Sequence, residues 1–282
     1  MKKKVKIGLI QMRAQDSALA NCAQAERMVR LAAKKGAQII CLQELFLSSY
    51  FPQKKDKKFL KLAESIPGER TEIFSELAKQ LKIVIILPIF EVSDSHFYNS
   101  AVVIDATGEL LGHYRKMHLP DDPYFYEQFY FSKGDLGFKT FKTQYANIGV
   151  LICWDQWFPE AARALAQLDA QILFYPTAIG WIQGESKAKR EEERSAWEII
   201  QRSHAIANGV FVASVNRIGR EEKLTFWGGS FVAGPFGEVL KYASETKEEM
   251  IVAECDFSKI REIRKIWPFL DSRRLDAYGQ TI

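Results

Sequence analysis

Three residues of different chemistry follow apolar runs in this chain. Glu44 comes just after residues 39–42, Lys116 after 110–114 and Cys153 after 146–152. The first and third have the length and apolar character of buried strands, and 110–114 reads as the second strand of a tight-turn pair. Strand ends in an open α/β sheet gather in space, so residues distant in sequence can meet there. The three types are complementary. A thiol supplies a nucleophile, and a carboxylate can take its proton and later activate water. An ammonium can stabilise an anionic tetrahedral intermediate, together with a turn amide such as that of Trp154. Taken singly, each has an ordinary reading as a core cysteine, a capping glutamate or a surface lysine. By position alone Cys153 fits a core thiol as readily as a nucleophile, and no general rule makes the spacing of the three diagnostic.

The elements that would carry them alternate. Strand-like runs at 5–11, 39–42, 83–90, 146–152, 169–175, 210–215 and 250–255 are interleaved with helical spacing at 19–33, 71–81, 160–168 and 191–208. Ser17 or Asn21 can cap the first helix and Gly36 can end it. Pro88 is expected to mark the end of its strand. Strand pairs are expected at 98–104 with 110–114 and at 230–242. The alternation argues for one α/β domain. Strand, sharp turn and helix around Cys153 would set the thiol near turn amides and a helix N-terminus, which favour thiolate. Residues 51–61 are lysine-rich and read as a solvated loop. Residues 121–134 carry six aromatics, too apolar for a solvated loop, so they are expected to cover a pocket or a partner subunit. Residues 180–189 read as a glycine-containing loop.

Composition narrows the function. The chain has 282 residues, 47% of them hydrophobic, enough for one sizeable core. A net charge of +4 without a basic stripe argues against a nucleic-acid partner. No apolar run approaches the roughly 20 residues that span a bilayer, and residues 1–12 lack the pattern of a signal peptide. Cys22, Cys41, Cys153 and Cys255 have no C-x-x-C spacing, so neither zinc nor a disulfide framework is expected. A reducing cytoplasm is the expected compartment.

The words around the three residues are more specific than their positions. Leu42-Gln43-Glu44-Leu45-Phe46, Tyr114-Arg115-Lys116-Met117-His118-Leu119-Pro120 and Cys153-Trp154-Asp155-Gln156-Trp157-Phe158-Pro159-Glu160 resemble blocks of the nitrilase (carbon–nitrogen hydrolase) superfamily, and the resemblance runs along almost the whole chain. It implies a four-layer α-β-β-α sandwich forming one domain over residues 1–282. It also implies homodimers or higher oligomers, and residues 258–282 are expected to form a tail that packs on a partner subunit. The family's triad falls on Glu44 as base, Lys116 as oxyanion stabiliser and Cys153 as nucleophile, with Glu127 resembling its supporting glutamate. No metal or organic cofactor is implied. The cysteine block through Arg163, with Pro120-Asp121-Asp122-Pro123 and Tyr175-Pro176-Thr177-Ala178-Ile179-Gly180, resembles the N-carbamoylputrescine amidase branch. That branch hydrolyses a ureido group to an amine, carbon dioxide and ammonia.

A pocket for such a substrate needs apolar walls and a carboxylate for the ammonium. Trp154, Trp157, Phe125 and Trp181 are the candidate walls, with Thr177 and Ala178 at the neighbouring strand end. Glu185 is the candidate ammonium partner, although a solvated loop glutamate fits equally and Lys187 and Lys189 lie in the same loop. N-carbamoyl-β-alanine, whose carboxylate would prefer a lysine or arginine, and ω-amides are the alternative substrates. A non-catalytic scaffold of the same fold is the remote alternative. His118 is read as a packed or loop histidine before a Cys–His partner, His204 as structural, Asp155 as a holder of the turn and Asn99 as a hydrogen-bonding neighbour.

Overall fold

Burial alternates along β2 in a way that fixes the layers. Ile39, Ile40, Cys41 and Leu42 are all fully buried, but odd and even residues join different clusters. A strand covered on both faces must lie inside a layered structure. The structure is a computed structural model and describes residues 4–278. Its first half runs β1 (Lys4–Gln11), α1 (Ala18–Lys34), β2 (Ile39–Leu42), α2 (Glu69–Leu81), β3 (Val84–Ser93), β4 (His96–Ile104) and β5 (Leu110–Arg115). Two short pairs and the nucleophile strand follow: β6 (Asp121–Asp122), β7 (Phe125–Tyr126), β8 (Thr140–Lys142) and β9 (Asn147–Val150). Then come α3 (Pro159–Gln167), β10 (Ile172–Thr177), β11 (Gly180–Ile182), α4 (Lys187–Asn208), β12 (Phe211–Asn216), β13 (Ile218–Glu221) and β14 (Leu224–Trp227). The chain closes with β15 (Phe231–Ala233), β16 (Val239–Tyr242), β17 (Glu249–Asp256), α5 (Ser258–Ile266) and α6 (Leu275–Tyr278).

Two six-stranded sheets result, ordered β17-β1-β2-β3-β4-β5 and β16-β15-β12-β10-β9-β8. Each has three parallel strands, β1-β2-β3 and β9-β10-β12, flanked by antiparallel ones. The sheets face each other through Ile7, Leu9, Ile39 and Cys41 on one side and Ile148, Val150, Phe174 and Ala213 on the other. α1 and α2 cover the outer face of the first sheet, where Val29 and Phe74 meet Ile40, Leu42 and Ile85. α3 and α4 cover the second, through Leu165, Trp197 and Ala205. The expected α-β-β-α sandwich is therefore present. A small sheet, β11-β14-β13, stands beside it.

Local chemistry explains the main helix and strand positions near the site. Ser17 Oγ accepts from Ala20 N at 3.2 Å and opens α1. A Cβ on Gly149 would lie 2.7 Å from Leu165 Cδ1 and 2.9 Å from Leu173 Cδ2. Glycine there lets α3 close onto the strand that leads to Cys153.

The structure corrects three local expectations, two of them in part, and adds one hairpin. Pro88 lies inside β3, not at its end: β2 stops pairing at Ile86, and beyond it β3 is bonded through β4, a place that tolerates a missing N–H. Residues 51–61 are solvated at their lysines, Lys54, Lys55, Lys57, Lys58 and Lys61, but not at their start. Phe51, Pro52 and Gln53 are buried in a short 3₁₀ turn, and Phe51 stacks on Phe90 and meets Tyr130. Residues 180–189 are β11, a turn at 183–186 containing Gly184, and the start of α4 at Lys187, so the expected glycine-containing loop is confined to four residues. The hairpin β13–β14 was not expected at all, because its charged turn hides the alternation of Ile218, Leu224 and Phe226. The tail expected over 258–282 is described only to 278. There Trp267 stacks on Phe269 and meets Phe236, while Ile266, Phe269 and Leu275 are exposed.

Trp197 is the side chain on which α4 closes. It is fully buried, meets Trp227 and Phe231 edge-on and donates its indole N–H to Gln156 Oε1 at 3.0 Å. Trp197→Ala is expected to lower the unfolding free energy by about 3–5 kcal/mol, read from urea denaturation.

Candidate active site

Glu44 sits two residues beyond β2, on a turn in which Leu45 takes a left-handed φ of 47°. Lys116 directly follows β5, and its backbone N still donates to Asn99 O at 2.8 Å. Glu127 opens a one-turn 3₁₀ helix inside the aromatic loop. All three side chains have no solvent exposure. Lys116 Nζ donates to Glu44 Oε1 at 2.8 Å and to Glu127 Oε2 at 2.6 Å. Asn99 Nδ2 gives Glu44 Oε1 a second bond at 2.7 Å, and Tyr50 donates its hydroxyl to Glu127 Oε1 at 2.7 Å. Glu44 Oε2 is buried and makes no hydrogen bond within the protein. That oxygen is the one free to receive a proton.

Cys153 begins a 3₁₀ turn, Cys153–Trp157, with a left-handed φ of 43°. Non-glycine residues take this conformation only where their surroundings impose it. Asp155, fully buried, imposes it here. Its Oδ2 accepts from Ile152 N and from the Tyr114 hydroxyl, both at 2.8 Å, and its Oδ1 bonds His118 Nδ1 at 2.7 Å. Asp155 thus ties the turn of one sheet to the end of β5 in the other. His118 spends its ring on that bond and on stacking against Phe158 at 3.7 Å, so it is no partner for the thiol. Behind the turn, Gln156 accepts from Trp197 and, through its carbonyl, bonds His204 Nε2 at 2.8 Å. Burial lowers the pKa of His204, in keeping with a structural imidazole.

Electrostatics set the resting protonation. Burial disfavours charge on Lys116, but Glu127 and Glu44 more than offset it and hold its pKa above the ordinary lysine range. Burial pushes the Glu127 carboxyl up to about 7, with Lys116 pulling it down and Glu44 adding to the rise. The Cys153 thiol is pushed well above its usual value, first by burial and then by the charge of Glu44, against the pull of Lys116. This corrects the expectation of a thiolate favoured by a helix end. α3 begins only at Pro159, one 3₁₀ turn beyond the thiol. A protonated thiol needs a base as it attacks, and the base must be near.

Cys153 opens onto a cavity of about 320 Å³ lined by Phe125, Trp154, Trp157, Ala178, Ile182 and Trp227, with Asp122, Glu185 and Glu193 also on its wall. Phe125, Trp154, Trp157, Ala178 and Glu185 thus line the space that the sequence assigned to them. Trp181 and Thr177 stand behind it. Trp181 packs on Trp227 and donates to Arg190 O, and Thr177 donates to Tyr175 O at 3.0 Å. Glu185 is largely committed: Oε2 accepts from Ile182 N at 3.1 Å and Oε1 pairs with Lys189 at 2.6 Å. Sequence reasoning missed Tyr50, Trp227, Asp122 and Glu193. Glu193 had a signal, since it lies two turns into α4 from the loop that carries Glu185. Tyr50 had none. Among the described residues no group of three His, Cys, Asp or Glu side chains is placed to hold a metal ion.

Asp155→Ala strands the Ile152 N–H, the Tyr114 hydroxyl and His118 Nδ1. Each unmade buried bond costs about 1–3 kcal/mol. Thermal unfolding is expected to show a loss several-fold larger than for Asp155→Asn, which keeps one acceptor.

Comparison with known proteins identifies the family and the fold. A family model described as carbon-nitrogen hydrolase matches residues 6–265. An N-carbamoylputrescine amidase of Oryza sativa subsp. japonica is 45% identical over 98% of this chain and 93% of its own. A citrullinase of Francisella tularensis is 36% identical over 99% of this chain and 98% of its own. The crystal structure of a carbon-nitrogen hydrolase from Helicobacter pylori G27 superposes with a TM-score of 0.95 at 41% identity, covering 99% of this chain and 98% of that one. A sandwich of this topology, matched over nearly its full length, places the chain in the carbon–nitrogen hydrolase family.

Proposed function

We propose that the chain hydrolyses the ureido group of N-carbamoylputrescine to putrescine, carbon dioxide and ammonia, with Cys153 as nucleophile. The observation that carries this is the meeting of two features at Cys153: the buried Glu44–Lys116–Glu127 line, whose charges act on its thiol, and a cavity whose apolar wall also bears carboxylates. Trp154, Trp157, Phe125 and Trp227 suit a four-carbon chain. Asp122, Glu185 and Glu193 suit its ammonium. Glu185 is already paired with Lys189 at 2.6 Å, whereas Glu193 lies 3.5 Å from the same lysine. Partial burial and the charge of Glu185 raise the Glu193 carboxyl pKa. An arriving ammonium would relieve that repulsion. The relatives named as N-carbamoylputrescine amidases support the same substrate.

The chemistry follows from the resting charges. Glu44 Oε2 takes the thiol proton as Sγ attacks the ureido carbon. Lys116 and the Trp154 amide stabilise the oxyanion. Collapse expels one nitrogen as a neutral amine carrying the proton from Glu44, and a carbamoyl thioester remains. Glu44 then takes a proton from water, which attacks the thioester. Sγ leaves and takes back the proton that Glu44 drew from water, and the carbamic acid released breaks down to carbon dioxide and the second amine. Glu127 stays in place, holding Lys116 against Glu44. Assembly of the chain into dimers or larger oligomers belongs to the same reading, supported by the exposed Ile266, Trp267 and Phe269.

Three measurements test this reading. Folded Cys153→Ala should release no ammonia from N-carbamoylputrescine, and retained turnover would sink the mechanism. The parent enzyme should prefer N-carbamoylputrescine over N-carbamoyl-β-alanine, citrulline and an ω-amide, while Glu193→Gln should raise KM for it roughly tenfold with kcat nearly unchanged. The acid limb of kcat/KM should fall near pH 7, the range to which the Glu127 carboxyl is raised; its midpoint belongs to the coupled Glu44–Lys116–Glu127 set. The Tyr50 hydroxyl favours the Glu127 carboxylate, so its loss raises that pKa. Tyr50→Phe should therefore move the limb to higher pH, and an unmoved limb would remove Glu127 from the reaction.

A further inference from the structure

Arg217 lies just past β12, outside the cavity wall, and is fully buried. Its Nη2 donates to three carbonyl oxygens of the turn after β2: Glu44 at 3.2 Å, Leu45 at 2.8 Å and Ser48 at 3.1 Å. Its Nη1 takes both oxygens of Glu221, at 3.0 and 3.1 Å. Glu221 also accepts from the backbone N–H of Tyr50, and the guanidinium stands 5.9 Å from the Tyr50 ring. Tyr50 in turn holds Glu127 through its hydroxyl. One side chain is thus bonded to the peptide of one catalytic carboxylate and reaches, through Glu221, the backbone of the residue that supports the other.

We propose that Arg217, anchored by Glu221, is the positioning residue that fixes where the Glu44 and Glu127 carboxylates point. The inference rests on the proposed function, in which those carboxylates serve Cys153. Three carbonyls converging on one point form a concentrated acceptor site that only a multiply donating cation satisfies. The guanidinium supplies five donors in a rigid plane, while an ammonium supplies three on a flexible stem. A cation buried this deeply also needs a carboxylate, which Glu221 supplies. The geometry acts on Glu44 because its carbonyl and that of Leu45 flank the left-handed residue. Left-handed backbone at a leucine persists only when its surroundings over-determine it. With those carbonyls released, the peptide after Glu44 can relax. The carboxylate would then leave Lys116, Asn99 and the thiol together.

The test compares Arg217→Lys and Glu221→Gln with the parent. In Arg217→Lys, kcat for N-carbamoylputrescine should fall roughly 100-fold, as for a displacement near 1 Å, while KM stays within a few-fold. A second readout needs no substrate: the pH dependence of Cys153 carboxamidomethylation by iodoacetamide, located by peptide mass spectrometry. Burial first, and then the charge of Glu44, hold the thiol protonated, so a displaced Glu44 should shift that profile to lower pH while turnover falls. A variant that only lost stability would keep the parental kcat per folded molecule and the parental profile. Either of those two results overturns the proposal. Should Arg217→Lys fail to fold, Glu221→Gln carries the same two readouts, with a smaller shift in the same direction. A parent that hydrolyses none of the candidate substrates contradicts the proposed function instead, and the alkylation profile alone then decides the role of Arg217.

Discussion

A single buried ammonium organises this protein. Lys116 has no solvent exposure and lies within hydrogen-bond distance of two carboxylates that have none either. Charges removed from water persist only when paired and bonded on every side. Lys116 therefore needs both Glu44 and Glu127. Each carboxylate needs a further donor, and Asn99 and Tyr50 supply them. Of the carboxylate oxygens in the arrangement, Glu44 Oε2 is left without a partner. An uncompensated acceptor in a dry site is costly in a scaffold and useful in a base.

Two strained turns bring the base and the thiol together from different sheets. Leu45 and Cys153 both take left-handed φ values, 47° and 43°. Each strain sits at a strand end and each is held by a buried charged side chain, Arg217 for the first and Asp155 for the second. Both braces cross the interface between the sheets. Asp155 reaches Tyr114 on β5, and Arg217 reaches the turn beyond β2. The sandwich thus acts as a frame whose two halves are pinned at the chemistry. The apolar layer between the sheets keeps water from the pins and strengthens them.

The cavity combines contributions from elements that have little else in common. Phe125 comes from the aromatic loop, Ile182 from β11, Trp227 from the end of β14 and Glu193 from α4. Its apolar body and acidic groups favour an uncharged chain ending in a cation. Lys189 bridges Glu185 and Glu193 and already marks a place where an ammonium is stable.

The sequence by itself determined the layered α/β architecture and the chemical identity of the trio. Strand runs such as 39–42 and 148–152 are continuously apolar because both faces are covered, and that pattern is local. Glu44, Lys116 and Cys153 stand just beyond such runs, within blocks long enough to be specific. Only the tertiary structure decided how their charges settle. Whether Cys153 rests as thiol or thiolate depends on burial and on Glu44 from another sheet, not on the helix that follows it in sequence. Tyr50, Arg217 and Trp227 were illegible for the same reason: each acts on residues far away in the chain, and no periodicity records such a contact. The pairing of Glu185 with Lys189, and the openness of Glu193 beside it, likewise arise from side-chain directions in α4 that the sequence leaves open.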